Sequence, residues 1–336
     1  MTSHGDSAGR VLLICPRFFD YQERIARVLR RLGFEVVVLD DRPSSSSLYK
    51  IALRLAPALT ARLTHALTMQ HLSKVTDTRF DHVLVIKGEA MTGSVLQGLR
   101  TRFPAARFAL YLWDAVRNNG NSKSAASLYD AVSTFDPSDA KAYGWEYRPL
   151  FAVPPPPEEA LPKAYDWSFV GTLHSDRLTV LDRIRQSLDG RPYYVFGFYA
   201  SPILAAVGRL KGWLSQVRPF GTVSTKPLDG ATVRQVVAQS RSIADIEHPK
   251  QVGLTIRTIE TMLAGRKLIT TNRTIRQSAL YDASRVCVID RNAPVVPPAF
   301  LDSAFLPLPD AVRYGYSDEC WARRTLGLPD PQPFLL

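Results

Sequence analysis

The stretch HPKQVGLTIRTIETMLAGRKLITTN, residues 248–272, sets Lys250 and Arg257 around a glycine, a threonine and a glutamate, and runs into an apolar strand. A helix that begins just after HPKQVGL presents unpaired amide groups and the positive end of its dipole, which together make an anion site. Thr255 can cap that helix or donate to a phosphate oxygen, and Arg257 offers a fork of donors suited to a diphosphate. Glu260, three residues on, can accept hydrogen bonds from two adjacent sugar hydroxyls. Gly253 lets a ligand approach the backbone closely, and Gly265 ends the helix in the left-handed region. The same spacing also suits an ordinary amphipathic helix with a solvated Arg and Glu pair.

A second glycine loop lies in FVGTLHSDR, where Gly171 closes a strand and His174, Asp176 and Arg177 open a helix. It reads as a phosphate loop, or as a plain strand-to-helix turn with Ser175 or Asp176 as N-cap. His248 and Lys250 are further cationic candidates. In the N-terminal half, IKGEAMTG and LYLWDAVRNN place carboxylates at strand ends. A group-transfer reaction needs a base for the acceptor hydroxyl, and such a carboxylate can serve. Asp114 leads, because Trp113 can stack on a sugar ring and Asn118 and Asn119 can hydrogen-bond hydroxyls. Glu89 with Lys87 is second. Each acid also suits a loop cap.

These residues need strand ends to hold them, and the chain supplies strand-type runs in regular alternation with helical patterns. RVLLICP (10–16) leads to a helical YQERIARVLRRLGF and then to EVVVLD, with Gly33 at the C-cap position. HVLVIKG (82–88), a helix near 92–102, RFALYLWD (107–114), a helix around 124–129, AVSTFD and YRPLF complete the first half. VPPPPEEALP (153–162) interrupts the alternation, because consecutive prolines cannot continue a helix. Beyond it come a strand at 165–171, a helical RLTVLDRIRQSL, a strand PYYVFGF, helices near 202–216 and 229–239, and a strand SIADIE. The helix LTIRTIETMLAG, KLITTN and RVCVID (285–290) close the pattern. The expectation is α/β, two Rossmann-like domains facing across a cleft, with ligands at the carboxyl ends of the strands. Boundaries fall at 1–152 for the N-terminal domain, 153–163 for the linker, 164–316 for the C-terminal domain and 317–336 for a tail.

At 336 residues, with 46% hydrophobic and 22% charged residues, the composition is that of a soluble folded protein of two domains. The net charge of +11 implies an acidic partner: nucleic acid, an anionic membrane surface or a phosphorylated small molecule. The N-terminus has no apolar signal core and no run is long enough to span a bilayer, so a cytoplasmic place is expected. The three cysteines lack metal-type spacing. CPRFFDYQ, after the first strand, lacks G-x-G-x-x-G, and the chain has no P-loop, H-E-x-x-H or G-x-S-x-G, which argues against a dehydrogenase, a P-loop NTPase, a zincin or an α/β-hydrolase. The segment 47–75 combines Lys50, Arg54, Arg62 and Lys74 with Leu and Ala, so it suits an anionic membrane or a core helix with snorkelling arginines. Residues 205–218 are a weaker candidate of the same kind.

QVGLTIRTIETMLAGRKLITTN, with DWSFVGT upstream, resembles the donor-binding element of GT-B glycosyltransferases, and its wording is similar to bacterial CgeB-like and capsule or lipopolysaccharide-associated proteins of that type. The resemblance covers the C-terminal half. It implies two Rossmann-like domains and transfer from a nucleotide sugar without a bound metal. The donor side would hold Gly171, His174, Arg177, Lys250, Gln251, Gly253, Thr255, Arg257 and Glu260. The acceptor side would hold Lys87, Trp113 and Asn118, with Asp114 or Glu89 as catalytic base. Many such enzymes carry two glutamates eight positions apart; Glu260 matches the second, and Val252 stands at the first. No cofactor is expected, the nucleotide sugar being a substrate. The expected partners are a nucleotide-sugar donor, a glycan or lipid-linked acceptor and an anionic membrane surface, the last making the protein peripheral at the inner face of the membrane. A catalytically inactive nucleotide-sugar or polyanion-binding protein is the rival reading. Nucleic acid is not expected as a partner, since the basic residues are scattered without an RNA or DNA motif.

Overall fold

A computed structural model describes residues 8–17, 20–41, 57–73, 75, 79–118, 120–154, 161–199, 220–249 and 251–336. The chain divides into two compact units, unit 1 being Met1–Pro149 with Asp318–Gln332 and unit 2 being Leu150–Ser317 with Pro333–Leu336.

Unit 1 is built on β1 (Arg10–Ile14), β2 (Glu35–Leu39), β3 (His82–Ile86), β4 (Arg107–Leu112), β5 (Ala131–Thr134) and β6 (Glu146–Tyr147). All neighbours pair parallel in the order β2-β1-β3-β4-β5-β6, with Leu12 opposite both Val37 and Val83. After a polar first residue, Arg10, His82 or Arg107, the central strands are buried and almost wholly apolar because a parallel sheet is covered on both faces. Leu12, Ile14, Val83, Val85, Phe108 and Leu110 share one buried cluster with the helix Gly93–Arg102. The helix Tyr21–Arg31 buries Ile25, Val28 and Leu29, and Gly33 follows it at φ +92°.

The helix expected around 124–129 is a shorter one, Gly120–Ser124, followed by a 3₁₀ turn at Ala126–Leu128. Its serines and asparagine compete for backbone hydrogen bonds and weaken a continuous helix. In EYRPLF only Glu146–Tyr147 pairs as strand, and Pro149 just beyond has no N–H for a ladder. Of the basic segment 47–75, the helix Pro57–Ser73 is described; residues 47–56 and 205–218 lie outside the described residues, as does the helix expected over 202–216. Among the described residues no helix is long and apolar enough to cross a membrane.

Unit 2 holds β7 (Tyr165–Thr172), β8 (Tyr193–Phe198), β9 (Thr222–Ser224), β10 (Ser240–Asp245), β11 (Lys267–Thr270) and β12 (Val286–Val288). They are all parallel in the order β12-β11-β10-β7-β8-β9. Side chains alternate between two cores. Ile269 joins Trp167, Phe169 and the helix Arg177–Ser187, whereas Leu268 joins Ile259, Met262 and Tyr316. β9 and the helices Pro298–Asp302, Asp310–Gly315 and Asp318–Leu326 went unpredicted, being short or following proline-rich sequence.

The helix Asp318–Leu326 belongs to unit 1. Its Trp321, 2% exposed, meets Tyr111 of β4 edge-on at 5.1 Å, and its Asp318 pairs with Arg31 at 3.0 Å.

Candidate functional site

In an open parallel sheet, ligands bind beyond the carboxyl ends of the strands where the strand order reverses. In unit 2 that point lies between β7 and β10, the first and fourth strands of a six-strand order. The loop after β7 carries His174, Ser175 and Asp176 into the helix Arg177–Ser187. Ser175 has φ +47°, the left-handed region that a serine seldom occupies. Asp176 sits at the N-cap position without capping; its carboxylate is turned to Arg291.

Arg291, just after β12, gathers three strand ends. It donates to Asp176 at 2.9 and 3.2 Å, to the Glu247 carboxylate at 3.0 Å and carbonyl at 2.6 Å, and to the Thr271 hydroxyl at 3.2 Å. Thr271 in turn donates to Glu247 at 2.5 Å. Burial still holds the Glu247 carboxyl above the usual range despite these donors. Arg177 braces the switch point directly, donating to the carbonyls of Thr172 at the end of β7 and Ile246 just after β10, both at 2.6 Å.

His174 lies half-buried with its ring centroid 5.3 Å from that of His248, and its Nδ1 is 3.1 Å from the Ser175 hydroxyl. Burial first, then the charges of Arg177, His248 and Arg291, push its pKa down to about 4. The imidazole is therefore neutral at physiological pH.

The helix expected over 254–265 spans Ile256–Leu263 and packs Ile259, Met262 and Leu263 inward. Thr255 is its N-cap and accepts from the Thr258 amide at 3.1 Å. The Thr255 and Thr258 hydroxyls both donate to Asp245 at the end of β10, at 2.5 and 2.6 Å, which ties the cap to the sheet. Arg257 and Glu260 form an ion pair at 3.0 Å. Gly253 is buried, its carbonyl taking bonds from Gln251 at 3.0 Å and Asn272 at 3.4 Å. Gly265 has φ +65°. Gly171 lies in β7 opposite Gly197 of β8. Lys250 lies outside the described residues.

In unit 1 the strand order reverses between β1 and β3, and the same rule points to the loops after them. Lys87, Glu89 and Asp114 meet there. The Lys87 Nζ is 3.5 Å from a Glu89 oxygen and 3.7 Å from an Asp114 oxygen. Glu89 is 5% exposed, whereas the Asp114 side chain is 36% exposed and accepts from the Ala115 amide at 3.0 Å. Trp113 meets Tyr21 edge-on at 6.2 Å. Asn118 lies in a 3₁₀ turn, and its side chain is outside the described residues.

Sequence reasoning missed Asp245, Glu247 and Arg291 in unit 2 and Asp41 in unit 1. Each stands at or just past a strand's carboxyl end, and applying the strand-end rule to every strand would have flagged them.

The architecture has counterparts of known structure. A glycosyltransferase from Rickettsia africae superposes with a TM-score of 0.58 at 11% identity, covering 96% of this chain and 98% of that one. AviGT4, a glycosyltransferase involved in avilamycin A biosynthesis, gives 0.57 at 14% identity over 95% and 98%. OtsA gives 0.56 at 11% identity over 96% and 99%. The fold is GT-B. No protein-family model matches the sequence, and no curated protein matches it. In GT-B terms each Rossmann-like unit has its strand-order reversal, and each reversal carries one of the two clusters described above.

Proposed function

We propose that this protein is a glycosyltransferase that moves a sugar from a nucleotide-sugar donor to an acceptor hydroxyl. The observation that carries the reading is the β7/β10 switch point of a GT-B unit, where arginines, histidines and a firmly capped helix N-terminus converge. Unit 2 takes the donor. The amide groups at the start of the helix Ile256–Leu263 and Arg257 receive the diphosphate, and Glu260 receives donor hydroxyls. Gly171, His174, Arg177, Gln251, Gly253 and Thr255 shape the same site, and Lys250, next to Gln251 in sequence, is a further donor-side candidate. Arg177 and Arg291 act through the backbone and carboxylates they hold.

Unit 1 takes the acceptor, with Trp113 as a stacking surface and Asn118 as a hydroxyl partner. Asp114, the more exposed of the two acids, removes the acceptor proton; Glu89 is the second choice. The acceptor oxygen then bonds to the anomeric carbon as the bond to the diphosphate breaks, and the leaving group departs as the nucleoside diphosphate. Every step is carried by positioning and charge, without a bound metal. A glycan or lipid-linked acceptor of bacterial surface polysaccharide synthesis, met at an anionic membrane surface, suits the net charge of +11.

Val252, in place of the first of two glutamates, favours one rival: a nucleotide-sugar or polyanion-binding protein without turnover. A thermal-shift screen against UDP, GDP, CMP and their sugar conjugates separates the readings from an unliganded fold. A ligand at 100 times its Kd stabilises the folded state by about 2.7 kcal/mol. One nucleotide class should raise the melting temperature, and Arg257→Ala or Glu260→Ala should abolish that rise without unfolding the protein. Release of labelled sugar then distinguishes transfer or hydrolysis from binding. No shift with any nucleotide would sink the donor site.

A further inference from the structure

β3 ends in an unusual turn. The Gly88 amide donates to the Ile86 carbonyl at 2.8 Å, closing a three-residue turn with Lys87 at its centre and φ +68° there. A γ-turn with a positive central φ is the rare and strained form, and a lysine carries a Cβ that the left-handed region penalises. Strain of this kind persists only where its surroundings over-determine it, and it gathers at functional sites.

The restraints are visible. The Lys87 amide donates to the Tyr111 carbonyl at 2.9 Å, and the Ser122 hydroxyl donates to the Lys87 carbonyl at 2.7 Å. Asp41, beyond the end of β2 and fully buried, accepts from the amides of Glu89 at 3.0 Å and Ala90 at 3.4 Å. We propose that Asp41 is the positioning residue of this cluster, holding the strained turn that places the Lys87 ammonium between Glu89 and Asp114. The turn itself is a property of unit 1; only its consequence for catalysis rests on the glycosyl-transfer reading.

The charged and titratable groups facing Asp41 come from four elements. Lys87 and Glu89 lie on the turn, Cys15 at the end of β1, and Tyr129 before β5; Asp40 precedes it in the chain. Burial, partly offset by the amides of Glu89 and Ala90 and by Lys87 and reinforced by the Glu89 carboxylate, leaves the Asp41 pKa raised to about 7. The clamp therefore changes charge near neutrality, and protonation weakens its hold on the two amides.

Amide resonances of Glu89 and Ala90, followed by NMR from pH 5.5 to 8.5, test this directly. Both should move in one step with a midpoint near 7, and Asp41→Asn should remove the step. Flat resonances in the wild type, or a step that survives in Asp41→Asn, would overturn the proposal. Should Asp41→Asn fail to fold, Lys87→Gly and Lys87→Ala decide: both delete the ammonium, and only glycine relieves the turn. The glycine variant should melt roughly 2–4 °C above the alanine variant; equal melting would show no strain for Asp41 to hold.

Hydrolysis of UDP-glucose and GDP-mannose supplies the catalytic readout. Asp41→Asn should lower kcat about tenfold or more with KM kept, and flatten the limb of the pH profile near 7. A wild type inert toward both sugars counts against transfer from those donors, while the amide and melting measurements still decide the turn.

Discussion

Arg291 and Asp41 do the same physical work in the two units: one charged side chain, part-buried in Arg291 and fully buried in Asp41, satisfies groups from elements far apart in the chain. Asp176 and Arg291 are 115 residues apart, and Asp41 and Glu89 are 48 apart. Removing Arg291 leaves Glu247, 7% exposed, buried without its partner, whereas Asp176 stays open to solvent. Arg291→Met should therefore cost unit 2 about 3–5 kcal/mol, read as a lower denaturant midpoint. Arg291→Lys should recover little, because a point charge cannot span Asp176, Glu247 and Thr271 as a planar fork does. A midpoint unchanged in Arg291→Met would mean that the three loop ends hold themselves. Lys87, Glu89 and Asp114 were legible beforehand, since an acid or lysine at the end of an apolar run is visible in one stretch of sequence. Asp41 and Arg291 look like ordinary loop residues until their partners are known.

The helices and strands follow local chemistry closely. Thr255 was legible as a cap because a threonine before an apolar-periodic run has few other local uses. Its second bond, to Asp245, was not, since it depends on β10 lying beside the helix. Thr255→Ala should destabilise unit 2 by about 1–2 kcal/mol, and Thr255→Ser should keep most of the stability. Equal loss in the serine variant would assign the effect to the methyl group and its packing. Most element boundaries moved by only a few residues, but where side chains compete with the backbone the helix expected around 124–129 lies earlier, at Gly120–Ser124, with a 3₁₀ turn at Ala126–Leu128. Among the described residues, the two left-handed ones that are not glycine, Lys87 and Ser175, both follow strands at a switch point. Neither conformation is encoded by its residue type, so neither was visible in the sequence.

At the scale of the molecule, the chain runs through unit 2 to Ser317, gives unit 1 a further helix, Asp318–Leu326, and returns to unit 2 at Pro333–Leu336. Trp321 is the anchor, and Arg324 adds a pair to Glu146 at 2.6 Å. Trp321→Ala should lower the unit 1 transition by about 3–5 kcal/mol in calorimetry. A transition left in place would show that the helix is peripheral to that core. The alternation of apolar runs and helical periods was enough to establish two α/β halves with parallel sheets, because periodicity and strand composition are properties of short segments. It was enough, too, to mark Lys87, Glu89, Asp114, Gly171 and Thr255 as strand-end or cap positions. Strand order, and with it the location of each switch point, arose only on folding, as did the Asp41 and Arg291 networks and the return of the last helix. These depend on which distant segments become neighbours, and long-range pairing leaves no spacing in the chain from which to read it.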